Sequence, residues 1–563
     1  MTLTQWLIVF LITQVIHGLG TWKLYVKAGR NTWEAFVPIY NAIVLMGIIN
    51  RPKWWVILLF VPIINLIMIP VIWVETCRSF GKNTYTDTAL AILTCGLYIA
   101  YINYTQELVH IKDRSLKTKS SSGDWVSSIL FAIVAATLVH TYFMQPFVIP
   151  TSSLEKTLLK GDFLLVSKFH YGARLPMTAV AAPMVHDTLP IVNSPSYLKK
   201  PQLPYLRIPG FQDIKRNDIV VFNWPADTLF NMYKQADKKY EKPIDKKTNY
   251  VKRCVGIAGD SLEVKDGYVF INGTQTQLPD RAKTQFYYTV ISKKYLSAQY
   301  LKNDIGTTEF NRFYKINKAS AARYNLRNVV PFPNDSTSYM VEISGDLNLS
   351  QNTDFKATDR YNINMSVEEK ETLASNSDII SITRNIKPKG IKDNSTIFPS
   401  SMDGIWNGDN MGPIYIPEAG KTVALNKEVL PLYKAIITDY EGNKLNTDGN
   451  DIYINGKIAT TYTFKQDYYW MMGDNRQNSL DARYWGFVPF DHVIGKPVFV
   501  WMSISGVELG LSNIKNWKFN TERIFTTVGG SGKPVSYLPY FLVVIALWQG
   551  FKFYKKKKEG NKE

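Results

Sequence analysis

The residues best equipped for chemistry are hydroxyls and an amine, with no histidine among them. Thr151-Ser152-Ser153-Leu154 follows Ile149-Pro150, and Lys252 sits far downstream among Tyr250, Val251, Cys254 and Val255. Another hydroxyl, Ser479, lies in a polar run that holds Asp474, Asn475, Arg476, Asp481 and Arg483. Peptide hydrolysis by a hydroxyl needs a base to take its proton and donors to hold the oxyanion. None of the six histidines falls in these stretches, so a Ser-His-Asp arrangement has no natural members, whereas a serine–lysine pair does. A lysine serves as a base only when neutral, and burial lowers its pKa because desolvation disfavours the ammonium. Lys252 lies on an expected strand whose alternation can turn it inward and Arg253 to the opposite face. That stretch alone also fits a surface lysine on an edge strand. Thr-Ser-Ser after proline also fits a turn or a helix N-cap, and Ser152 competes with Ser153 as nucleophile.

The elements that must position these groups begin in a membrane. Trp125–Phe143, an apolar run of about 19 residues, is long enough to cross a bilayer. It ends just before the Thr-Ser-Ser triplet, which holds any chemistry there close to the membrane surface. Further apolar stretches precede it at Leu3–Leu19, Glu34–Ile49, Trp54–Val74 and Ala89–Tyr104, the second interrupted by Pro38 and Asn41. Leu3–Leu19 lacks a basic leader and a small-x-small cleavage site, so it does not read as a removable signal peptide. Residues 1–105 are expected to form a multi-span membrane domain, 106–124 a basic cytoplasmic connector, and 125–143 the anchor. Basic residues before the anchor and none for several residues after it place the following domain outside. Val535–Phe551 with Lys555 to Lys558 behind it predicts a C-terminal transmembrane or interfacial helix within 534–563, again with its basic tail inside.

Between the membrane segments the chain reads as mainly β. Asp218–Trp224, Tyr250–Ile257, Gly267–Gly273 and Asp451–Gly456 are β-branched and aromatic with turn residues at their ends. A polar stretch, 279–450, separates two parts of this core, 144–278 and 451–533, and its aromatic content argues for a folded insert. The net charge of +18 lies largely beside apolar runs and forms no basic stripe with interleaved aromatics, which speaks against nucleic acid as a partner. Three cysteines, two of them in the N-terminal region, build neither a disulfide framework nor a metal site. Cys254 reads as a small buried hydrophobe.

Four stretches in order carry a resemblance. Ile149-Pro-Thr-Ser-Ser-Leu154, Lys215-Arg-Asn-Asp-Ile-Val-Val-Phe222, Asn249-Tyr-Val-Lys-Arg-Cys-Val-Gly-Ile-Ala-Gly-Asp260 and the run from Met472 through Gly-Asp-Asn-Arg to Val-Pro489 resemble the boxes of bacterial type I signal peptidases (leader peptidases), Ser-Lys dyad enzymes. The resemblance implies a signal peptidase/LexA-like β fold and a membrane-bound serine endopeptidase that removes signal peptides from exported precursors. It implies Ser153 as nucleophile, Lys252 as base, Thr151 with the Ser153 amide as oxyanion hole, and Ser479 as the hydroxyl that orients the lysine. Asp474, Asp481 and Arg483 would support that serine, and Leu154, Leu158, Tyr250 and Val251 would line the specificity pockets. Expected partners are precursors with small residues before the cut, the lipid bilayer and the export translocon, with no cofactor or metal. The expected location is the bacterial cytoplasmic (inner) membrane, multi-pass, with the catalytic domain on the outer (periplasmic) side. Ser152 stands where the family commonly has Gly, Leu154 where it has Met, and Lys156 where it has Pro. Another Ser-Lys peptidase with a different substrate, or a catalytically silent scaffold for precursors, are the alternatives. Trp33-Glu-Ala-Phe-Val-Pro-Ile-Tyr-Asn41, Arg51-Pro-Lys-Trp-Trp55 and Ser79-Phe-Gly-Lys82 resemble an uncharacterised small membrane domain and imply no chemistry.

Overall fold

The structure, a computed structural model, describes residues 2–116, 121–190, 192–230, 239–327, 329–345, 347, 349, 352–507, 510 and 514–560. Its N-terminal part is helical. The first helix, Leu3–Lys27, starts on a capping box in which Thr2 accepts from the Gln5 amide and the Gln5 side chain answers the Thr2 amide. Together with Ser121–Leu138, which runs on through a π-helical turn to Phe143, it is long and apolar enough to cross a bilayer. The three other apolar stretches are not continuous, Glu34–Ile49 running from the end of Thr32–Ala35 into the separate helix Tyr40–Ile48. Trp54–Val74 divides into Trp55–Leu58 and Asn65–Ser79, and Ala89–Tyr104 into pieces of Tyr85–Leu93 and Leu97–Thr105. The breaks have backbone causes: Ile63 follows Pro62 at φ 70°, and Cys95 and Gly96 both take positive φ. Hydropathy registers neither.

This helical part packs on its own core of Leu24, Tyr25, Met46, Ile49, Cys77 and Phe80 among others. At one end the buried Glu75 accepts from Arg51 at 2.9 Å and from Arg114 at 2.6 Å, which ties the basic connector back onto the helices. At the other end Leu58, Ile64 and Met68 pack against Val134 and Leu138 of the anchor helix.

Past the anchor the protein is mainly β, as expected. The chain leaves the helix directly into strand β1 (Met144–Val148), which pairs antiparallel with β2 (Asp162–Ser167). β2 pairs with the long strand Val493–Ser505, which pairs with β3 (Ile219–Asn223), and β3 with β4 (Asn249–Gly256). The strand Tyr468–Met472 closes on β4, so the lysine strand and the start of the Gly-Asp-Asn-Arg run are hydrogen-bonded neighbours. Val220, Phe222, Cys254, Trp470 and Met471 are buried where these strands meet, and Cys254 is the small core residue its surroundings suggested.

Two different things occupy 279–450. The strands between Phe286 and Arg384 form a separate six-stranded antiparallel sheet with its own core around Phe286, Val290, Tyr361 and Ile363. Beyond it, Met411–Tyr415 pairs with Ser261–Lys265, and Leu430, Tyr433 and Ile436 join the main core. The chain ends in the helix Leu538–Gly560, held to the β part by Phe525 against Phe541 at 4.8 Å between ring centroids.

Candidate active site

The nucleophile candidate stands on a short turn between β1 and β2. Leu154 and Leu158 pin that turn, both fully buried beside Ile149, Leu164 and Val221. Ser152 and Ser153 are buried as well, whereas Thr151 is exposed at the entrance of the turn. Lys156 sits at φ 69°, a left-handed conformation that the proline ring cannot adopt. The lysine found here in place of the family's proline therefore matches this backbone, and its ammonium reaches the Gly306 carbonyl and Glu369.

Lys252 arrives from β4, opposite Val220 in the register, and its Nζ lies 2.6 Å from Ser153 Oγ. It is 5 % exposed, which rules out the surface reading of this lysine. Burial lowers its pKa to about 8; Asp481 and Asp474 act in the opposite direction, and Arg483 offsets part of that. The amine is thus poised to be neutral in an appreciable fraction near neutral pH, which a general base requires.

The Gly-Asp-Asn-Arg run is the scaffold behind this pair. Asn475 donates its amide to the Ser153 carbonyl at 3.1 Å. Gly473 fits where no other residue does: a Cβ there would lie 2.3 Å from Ser479 Oγ and 2.6 Å from the Ser153 carbonyl oxygen. Asp481 accepts from the Gly473 amide at 3.0 Å and from Arg483 at 2.8 and 2.9 Å. Burial would raise the Asp481 carboxyl, but Arg483 overrides it and the net displacement is downward. Asp474 is held the same way by Arg253, at 2.7 and 2.6 Å, and also accepts from Thr157 at 2.8 Å. Arg253 is therefore buried on an ion pair instead of facing solvent. Ser479 lies within this scaffold, buried, and its hydroxyl has no hydrogen-bond partner among the described residues. It is near Gly473 and the Ser153 carbonyl, and no bond joins it to Lys252.

Tyr250 and Val251, on the same strand as Lys252, are half-buried, with Tyr250 stacked on Trp224 at 5.1 Å. Several residues that the sequence reading passed over also reach the site. Asn478 donates to Ser152 Oγ at 3.0 Å, which engages the competing hydroxyl. Glu309, just before a strand of the insert, accepts from Asn475 at 3.1 Å and from Asn478. Asn364, also of the insert, donates to Asn475 at 2.8 Å. Glu155, next to Leu154, is buried enough that its carboxyl is pushed up to about 7. Of these only Asn478 lay inside a recognised motif; nothing local marks Glu309 or Asn364.

The model of the family described as signal peptidase, peptidase S26, matches residues 122–326 and 415–502, and that of a family of unknown function (DUF5684) matches 33–113. Signal peptidase I of Buchnera aphidicola subsp. Baizongia pistaciae is 25% identical over 375 residues, covering 66% of this chain and 74% of its own. Signal peptidase I P of Bacillus subtilis subsp. natto is 27% identical over 161 residues, 29% of this chain and 56% of its own. The Rickettsia massiliae signal peptidase I is 26% identical over 215 residues, 38% and 64% respectively. The six-stranded sheet lies partly in the gap between the two matched segments. With a family match over more than half of its length and a serine and lysine in contact behind an apolar helix, this chain belongs to the signal peptidase family, peptidase S26, and is a serine peptidase of that family.

Proposed function

We propose that the protein cuts signal peptides from exported precursors with Ser153 as nucleophile and Lys252 as general base. The observation that carries this reading is the 2.6 Å contact between Lys252 Nζ and Ser153 Oγ, made by a buried amine of lowered pKa. Neutral Lys252 takes the Ser153 proton as Oγ attacks the scissile carbonyl. Thr151 and the Ser153 amide receive the oxyanion, and the protonated lysine supplies the proton to the leaving amine; neutral again, it takes a proton from the water that attacks the acyl carbonyl and returns it to the departing Ser153 Oγ. Ser479, Asp474, Asp481 and Arg483 hold the frame. The Ser479 hydroxyl, buried and without a partner among the described residues, is free to orient the lysine when substrate is bound.

An extended precursor segment would lie against the strand edge beside Lys252, with Tyr250 and Val251 lining shallow pockets built over Leu154 and Leu158. Small side chains before the cut fit such pockets.

Membrane orientation follows the same reading. Trp6, near the start of the first helix, donates to the Gln202 carbonyl of the β part at 3.1 Å, whereas Lys23, Lys27 and Arg30 lie at the helix's far end. Basic residues prefer the cytoplasmic side, so this arrangement favours a catalytic domain outside the cytoplasmic membrane with an outward N-terminus.

The test is cleavage of a precursor with an Ala-x-Ala site by detergent-solubilised protein, wild type against Ser153→Ala and Lys252→Ala. Loss of cleavage in both variants, with cleavage by wild type at that site, is the expected result. Well-folded wild type that cleaves no precursor would favour the scaffold reading instead.

A further inference from the structure

A second polar cavity lies at the foot of the anchor helix, between that helix, the N-terminal helices and the β part. Its volume is about 160 Å³, well above the ~10–15 Å³ that one water needs. Ile63, Thr137, His140, Lys168, Arg174 and Asp245 contribute to its walls. Lys168 follows β2, and its amide donates to the carbonyl of Phe143, the last residue of the membrane helix, at 2.9 Å. That bond fixes the cavity at the level where the chain leaves the bilayer.

Two groups here lack the partners their chemistry calls for. The Lys168 ammonium has no hydrogen bond or ion pair among the described residues, and the charges acting on it most are the cations Arg174 and Arg207. The Thr137 hydroxyl, in a residue 3 % exposed, has no partner either. The Thr137 hydroxyl is buried without a partner, which is costly, and the half-buried Lys168 lines the same cavity, so the two together point to an occupant. Asp245, the carboxylate in the wall, is already committed to the Met177 and Thr178 amides at 3.0 and 2.9 Å and to the Thr178 hydroxyl at 2.7 Å. Arg174 spends its donors on Asn223 and the Asp491 carbonyl, both at 2.6 Å, and adds positive potential. The missing occupant is an anion that accepts from an ammonium and a hydroxyl at once.

We propose that this cavity binds the phosphodiester of an anionic membrane lipid, with Lys168 and Thr137 as its donors. Phosphate oxygens accept charge-assisted hydrogen bonds from lysine, and basic pockets beside membrane helices recognise lipid headgroups by this chemistry. A lipid is favoured over free phosphate because three of the lining residues, Thr137, His140 and Thr141, belong to the membrane helix itself. Burial together with Arg174 and Arg207 lowers the Lys168 pKa to about 7, and a bound phosphate would restore the ammonium. The inference rests on the anchor helix lying in a membrane and not on the assignment of Ser153.

The experiment is native mass spectrometry of the full chain in a non-ionic detergent, titrated with short-chain phosphatidylglycerol. Diacylglycerol of the same chain length and inorganic phosphate are the comparison ligands. One phosphatidylglycerol is expected per chain, with affinity weakened about tenfold in Lys168→Met, largely kept in Lys168→Arg, and weakened several-fold in Thr137→Val. Equal binding of diacylglycerol, or an unchanged affinity in folded Lys168→Met, would overturn the site. Should Lys168→Met fail to fold, an unchanged affinity in Thr137→Val would do the same. Inorganic phosphate that displaces the lipid at matching affinity would overturn the lipid assignment in favour of a free anion.

Discussion

Glu309 accepts from the Asn478 amide at 3.0 and 2.9 Å, and Asn478 in turn donates to Ser152 Oγ. The insert, far from the serine in sequence, thus braces the turn that carries it. Because the same carboxylate also receives Asn475, whose amide holds the Ser153 carbonyl, one side chain steadies both asparagines. Glu309→Ala is expected to lower kcat by about tenfold, the worth of a charge-assisted hydrogen bond, with little change in KM. Steady-state kinetics with a precursor peptide checks this, and Glu309→Gln should recover part of the loss. An unchanged kcat would leave the insert without a role at the turn.

The pH profile follows from Lys252. A base must be unprotonated to act, and burial brings this amine down to about 8. kcat/KM is expected to rise with pH by about one log unit per pH unit below that value and to level off above it. A profile already flat from pH 6 would mean that the titrating base is another group.

Gly473 is a steric requirement. Its missing side chain leaves room for Ser479 Oγ and for the backbone carbonyl of Ser153, and the latter cannot swing away. Gly473→Ala is expected to displace the serine turn and cost on the order of 10²-fold in kcat, since small misplacements of reacting groups are that expensive. Full activity in this variant would show that the turn yields freely.

Asp481 and Arg483 are both almost wholly buried and hold each other. Removing one leaves the other charge in a dry interior, so Asp481→Ala is expected to destabilise the fold by ~3–5 kcal/mol. Denaturant or thermal unfolding would measure it. A shift no larger than that of an exposed pair would contradict the burial of this ion pair.

How much of this was legible follows from how local each signal is. Ser153 and Lys252 were not fixed by their short stretches, which also fit a turn and a surface lysine; four boxes in order behind an apolar run singled them out. The β character of the core was likewise visible in β-branched runs such as Ile219–Asn223. Glu309, Asn364 and Glu155 were not visible, since their place depends on how the insert docks against the serine turn, a contact between residues far apart in the chain. The broken helices at Ile63 and at Cys95-Gly96 escaped for another reason: average hydropathy is blind to a change of sign in φ. Ser479 lies between these cases. It is buried close to Gly473 and the Ser153 carbonyl, and a bond to the lysine is not part of the structure.

The most direct test of the central claim is to find the acyl group. Wild-type protein mixed with an activated acyl ester of a short Ala-x-Ala peptide, quenched in acid and mapped by fragmentation mass spectrometry, should carry the acyl group on Ser153. The adduct should be lost in Ser153→Ala and fall by about 10²–10⁴-fold in rate of formation in Lys252→Ala. An acyl group found on Ser152, or its rapid formation without Lys252, would contradict the serine–lysine account.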